Sequence, residues 1–105
     1  MLVKKEECAT RSLPGVEMHN YLTSESGTSI SVALGVLSGD HPESVSEHTD
    51  RCYMFVDGTA VVTVGDNVYR VSKHDVVYVP KGVKHSLTGQ ATYFIVNNPP
   101  FKRGK

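Results

Sequence analysis

The chain has 105 residues, 39% of them hydrophobic and 21% charged, enough for one globular domain with its own core and too few for two. Eleven Lys and Arg balance eleven Asp and Glu, so the formal net charge is zero. The basic surplus that neutralises nucleic-acid phosphates is missing, and no nucleic-acid partner is expected.

Residues 1–15 read as an N-terminal arm. Met1 to Glu7 carries charge with no apolar run behind it, which is not the pattern of a signal peptide. The barrel core is expected over about residues 16–98. Val16 to Leu22 is the first predicted strand, and Ser24-Glu25-Ser26-Gly27 is a turn. Ser29 to Leu37 follows, closed by Ser38-Gly39-Asp40-His41-Pro42. Its apolar run Val32 to Leu37 is far too short to span a bilayer. Arg51 to Val56 and Thr59 to Val64 flank Asp57-Gly58, a type I′ hairpin signal. Gly65-Asp66-Asn67 predicts a second hairpin, into Val68 to Val71. Asp75 to Val79 runs into Pro80-Lys81-Gly82, read as a type I turn. His85 to Leu87 and Ala91 to Val96 complete the strands. Asn97-Asn98-Pro99-Pro100 ends them, and residues 101–105 form a basic tail read as solvated.

About eight short strands joined by tight turns predict an all-β domain, a sandwich or a closed barrel. Closure would remove exposed edges. Two cysteines, Cys8 and Cys52, without a CxxC pair, make no disulfide framework. They read as free thiols of a cytoplasmic protein.

Segment 74–89 contains Pro80-x-Gly82-x-x-His85. It resembles the second motif of the cupin family, G-x5-P-x-G-x2-H-x3-N, with His74 at the first glycine position and Gly89 at the asparagine position. The first motif, G-x5-H-x-H-x3/4-E-x6-G, is similar to the stretch from Gly39 to Gly58, above all at its end, Tyr53 to Gly58. Its ligand positions depart. Without gaps the histidine positions hold Val45 and Glu47 and the glutamate position holds Arg51. With one extra residue the histidine positions hold Ser46 and His48. The resemblance spans about residues 29–98. It implies a double-stranded β-helix, or jelly-roll, barrel, often a homodimer, with a pocket inside. Homodimer pairing through the N-terminal arm, with its apolar Leu2, Val3 and Leu13, is expected on the same ground.

His85 alternates with Val83 and Leu87, so it is placed on the inward face, either in the pocket or as a hydrogen-bonded core histidine. His48 is either a pocket group or a loop histidine. Glu47 and His48 are adjacent and cannot both face inward without a bulge. Arg51, Tyr53 and Phe55 alternate onto one face. Arg51 either points into the pocket or is turned outward by a bulge. Tyr53 and Tyr78 read as core aromatics, and Tyr53 also as a ligand contact. His41 reads as a turn residue. Cys52 has no general base beside it and reads as an inert thiol.

Two readings of function stay open. In the first, His48 and His85, with Glu47 or Asp50, hold a divalent transition metal (zinc, iron, manganese or nickel) that acts on a small polar substrate. An enzyme of that kind would be an isomerase, lyase or dioxygenase. In the second, Arg51 and His85 hold an anionic small molecule without metal, as a binding module or as an isomerase or epimerase with His85 as acid–base group. Neither reading calls for a membrane.

Overall fold

The computed structural model describes residues 1–101. The rest of the expected basic tail, 102–105, lies outside the described residues. After a single 3-10 turn at Lys5–Glu7 the chain forms seven strands: β1 (Ala9–Leu13), β2 (Val16–Leu22), β3 (Ser31–Val45), β4 (Asp50–Val64), β5 (Asn67–Ser72), β6 (Val76–Val79) and β7 (Lys84–Asn98). All pairings are antiparallel, in the order β1-β2-β3-β7-β4-β5, with β6 also on β4. The fold is the expected all-β jelly roll. Hydrogen bonds do not close it, because β1 and β5 each have one paired neighbour. Among the described residues, no helix is long and apolar enough to cross a membrane.

The core lies where the long strands β3, β4 and β7 curl over one another. Leu37, Tyr53, Phe55, Val62, Leu87 and Tyr93 are each 2% exposed or less. These side chains alternate along their strands with half-buried or exposed neighbours, as a pleat requires. In β7 one parity holds throughout, so His85, Leu87, Ala91, Tyr93, Ile95 and Asn97 all face inward.

In β4 the parity changes. Tyr53 and Phe55 are buried before residue 56, and Ala60, Val62 and Val64 after it. The register explains the switch. Phe55 pairs with Tyr93 and Asp57 with Thr92, so Val56 is an extra residue in β4. A bulge of this kind bends a strand and flips which side chains face in. Asp57-Gly58 is therefore a corner in one continuous strand and not the expected hairpin. Ser38 to Pro42 is likewise strand. It leads into a second irregularity between His41 and Ser44, opposite Leu87 and His85. Glycine at 39, 58 and 89 lets three fifteen-residue strands replace the shorter ones predicted.

Other expectations hold at Gly65-Asp66, which joins β4 to β5 with Val64 paired to Asn67. The Pro80 turn differs in type. Val83 N–H donates to the Pro80 carbonyl at 3.3 Å, and Gly82 at the third position has φ +81°, the mark of type II. The N-terminal arm is shorter than expected, because Ala9–Leu13 pairs with β2. Its Arg11 and polar neighbours give a weak apolar alternation, which hid the strand. Tyr78 is no core aromatic. It opposes Cys52 across β6 and β4 and is 58% exposed, while Val77 and Val79 turn inward.

Gly58 has φ +79°, and a Cβ there would fall on the Gln90 carbonyl oxygen of β7. Gly58→Ala is expected to lower stability by more than about 1 kcal/mol, since strain and a backbone clash coincide. Gly27→Ala, where φ is also positive but the space is open, should cost less. Urea unfolding of both variants checks the order.

Candidate functional site

The open side of the jelly roll holds a cavity of about 710 Å³, a size that suits a small organic ligand. Its floor comes from β4 and β7, with Arg51, Tyr53, Tyr93 and Asn97. One wall is the end of β3, with His41 and Val45, and Ser46 just beyond it. The mouth is formed by β1 and β2, whose inward residues include Arg11, Leu13 and Met18. Phe101, just after the last strand, reaches back across the floor.

Arg51 is the centre of this floor. The parity of β4 ahead of its bulge turns the residue inward with Tyr53 and Phe55, so it is not rotated to solvent. Its Nε donates to Asn97 Oδ1 at 2.8 Å. Its Nη1 lies 3.2 Å from the Tyr53 hydroxyl oxygen and 3.3 Å from His85 Nε2. The guanidinium also stands 5.3 Å from the ring centroid of Phe101 and 5.9 Å from that of Tyr53, within cation–π range. Asn97 in turn donates through Nδ2 to Ser31 Oγ, which also accepts the Phe101 N–H. Among the described residues no carboxylate pairs with Arg51, and its Nη2 makes no hydrogen bond.

His85 is fully buried beneath Arg51 and does not line the cavity. Its Nδ1 is 3.2 Å from the Val83 carbonyl oxygen, which can only accept, so Nδ1 carries the proton. Nε2 then offers its lone pair to Arg51. Burial pushes the imidazole below its ordinary value, and the charges of Arg51 and His41 push the same way, against the Val83 hydrogen bond. A neutral ring with both nitrogens engaged holds Arg51 in place. Both ring nitrogens that an acid–base role would need are therefore occupied.

The metal ligands expected from sequence do not meet. Glu47 and His48 are exposed on the connection between β3 and β4, while Ser46 and Thr49 turn inward. Asp50 accepts the Lys81 N–H at 2.9 Å and so ties the Pro80 turn to β4. The His85 lone pair that a cation would need is taken by a guanidinium. Among the described residues no three of His, Cys, Asp and Glu could hold an ion together. This donor set does not fit a divalent cation.

Three inward residues carried no motif signal. Tyr93 and Asn97 stand at the parity of His85 along β7, a signal that becomes readable only once 84–98 is one strand. Burial pushes the Tyr93 hydroxyl well above the usual phenol range, with Tyr53 adding to it, so it stays protonated. Burial raises Tyr53 as well, against Arg51. His41, expected in a turn, lines the cavity instead. The Cys52 thiol is pushed up by burial, which fits the expected lack of reactivity, and Cys8 is also free.

Residues 36–96 match the family described as Cupin domain. An uncharacterized protein of Streptomyces coelicolor is 35% identical over 75 residues, 68% of this chain and 71% of that protein. A protein of Planctomyces limnophilus has a similar fold, with a TM-score of 0.90 at 20% identity over 98% of this chain and 91% of that one. So does a nucleoside dehydratase from Streptomyces, with a TM-score of 0.86 at 18% identity over 97% and 84% of the two chains.

The buried histidine gives a pH signature. Its value is lowered from 6.5 on folding, so the unfolded chain takes up the proton first as pH falls. The stability it confers is complete above the unfolded value and is lost below it, down to the folded value. Urea unfolding should show falling stability from about pH 7 towards pH 5. His85→Gln, which retains an acceptor for Arg51, should flatten that slope.

Proposed function

The chain belongs to the cupin family, and on that footing we propose that it is a metal-independent cupin whose cavity binds a small anionic molecule through Arg51. One observation carries this reading. An arginine faces the cavity half-buried, held by neutral partners, with no carboxylate among the described residues to balance it. A charge placed away from water without a counter-charge is costly. A bound carboxylate or phosphate would supply the counter-charge, and Nη2 is the donor left to grip it. Arg11 at the mouth adds to the positive field, against one acid there, Glu25. The set of Glu47, His48 and His85 around a zinc, iron, manganese or nickel ion has no comparable support. The Streptomyces nucleoside dehydratase has been solved with uridine in variants that replace a tyrosine by Phe or a histidine by Gln. This cavity also presents two tyrosines and a histidine, so nucleotides belong among the ligands to try.

We also propose that two copies pair, and through a face other than the N-terminal arm. Leu13 belongs to β1 and packs on the barrel's own core, which leaves Leu2, 77% exposed, and Val3 as the arm's apolar residues. On the outer side of the sheet, Val76, Met54, Phe94 and Leu34 oppose one another in a cross-strand row, with Tyr78, Cys52 and Val96 in the next. Val76 is 62% exposed and Met54 37%. Neither row contains a charge, and an uncharged apolar sheet face is suited to a self-complementary interface. We place the protein in the cytoplasm, where both thiols stay reduced.

Carboxylates, inorganic phosphate and uridine nucleotides should include compounds that raise the melting temperature of untagged protein. Arg51→Ala should remove the shift, and Arg51→Lys should lose most of it because the planar fork is gone. No shift across the panel, or a stoichiometric transition metal by elemental analysis, would overturn the reading. Sedimentation at micromolar concentration is expected to give a dimer, and Met54→Glu a monomer with the same circular dichroism spectrum.

A further inference from the structure

We infer that His41 is a second ligand contact in the cavity, accepting a hydrogen bond from a hydroxyl of the anion that Arg51 holds. The ligand class is then a small hydroxy acid or sugar acid. This inference rests on the anion-binding reading above.

The placement comes from β3. The strand is irregular between His41 and Ser44, and such bulges re-aim side chains next to binding sites. Here His41 lines the cavity, and Ser44 and Val45, with Ser46 just beyond the strand, line it in succession, a break in strict alternation. The neighbouring Asp40 is engaged elsewhere, accepting from the Thr88 hydroxyl.

His41 Nδ1 lies 3.0 Å from the carbonyl oxygen of Pro14, in the turn between β1 and β2. A carbonyl only accepts, so Nδ1 donates and the lone pair of the neutral ring sits on Nε2. That nitrogen has no partner among the described residues. His41 and Arg51 line the same cavity. Imidazole and guanidinium therefore serve one space.

The other polar groups of the floor are committed differently. Asn97 spends Oδ1 on Arg51 and Nδ2 on Ser31. The Tyr53 oxygen accepts from Arg51, and the Tyr93 hydroxyl is held protonated. Arg51 itself only donates. An anion without a hydroxyl satisfies those donors and leaves His41 Nε2 to water. A ligand that carries both an anionic group and a hydroxyl uses the donors and the acceptor together. Glu25, Asn20 and the hydroxyls of Ser44 and Ser46 also line the cavity, and the exchange of His41 is what separates its contribution from theirs.

The test uses matched pairs of acids that differ by a hydroxyl, malate against succinate and citrate against tricarballylate. Calorimetry on the full chain measures each. The hydroxy acid is expected to bind roughly two- to tenfold more tightly than its partner, the range of one hydrogen bond to a neutral acceptor. His41→Phe should bring the pair to equal affinity while anion binding persists. His41→Gln keeps an acceptor and should restore part of the preference. Equal affinities in the unaltered protein, or a preference that survives His41→Phe, would overturn the role of His41 and leave the anion site standing. No binding by any of the four acids would overturn the inference, and the wider anion panel decides separately whether the anion site stands.

Discussion

The structure turns on how a guanidinium is kept inside a β-barrel with no acid beside it among the described residues. Arg51 is fixed by an amide oxygen, a phenol oxygen, an imidazole nitrogen and two aromatic faces. All five partners are neutral. They satisfy the geometry of the side chain and leave its charge uncancelled. A carboxylate in the same place would have made a closed ion pair with nothing left for a ligand. Neutral support leaves a fixed cation, which on the proposed reading costs stability when the cavity is empty and lowers the free energy of binding when an anion fills it.

That arrangement depends on strand geometry several residues away. Arg51, Tyr53 and Phe55 can share one face with the later core residues Ala60, Val62 and Val64 only because Val56 is inserted between them. Without the bulge, one half of β4 would present its core side chains to solvent. Gly58 accepts the positive φ next to that insertion and the close approach of the Gln90 backbone. On the facing strand, Gly35 leaves room for the Tyr93 ring, which would otherwise meet a methyl group. The site is thus a consequence of where the two long strands bend and where a side chain is missing.

Much of this was legible in the sequence, for identifiable reasons. Period-two patterning marked most strands, and Gly65-Asp66-Asn67 marked a true reversal. Pro80, Gly82 and His85 carried the family resemblance and put His85 on the inward face. Asp57-Gly58 misled because a hairpin and a bulged corner both ask for positive φ beside an extended run, and only the pairing partner tells them apart. β1 was hidden because its inward residues, Ala9, Arg11 and Leu13, line a cavity and not the core, so little hydrophobic alternation was needed. His41 was hidden because Gly39 and Pro42 gave its neighbourhood the composition of a turn.

On the proposed reading, the histidine of the Pro80-x-Gly82-x-x-His85 motif keeps its place and has a different task. The family resemblance puts a metal ligand at this position and a glutamate across from it. Here the glutamate position is Arg51, and exchanging an acid for a base reverses the charge that the floor presents. A cation beside that guanidinium would be repelled. The imidazole, buried and lowered in basicity, is better suited to accept from the guanidinium than to bear a proton of its own. On the proposed reading, the arginine at this position, with the histidine positions of the first motif also changed, makes a strut of the residue that the family uses as a ligand, and the barrel that surrounds it need not alter. Fold and function separate at this point: the strands determine which positions face inward, and the charge at one of them determines what the cavity can hold.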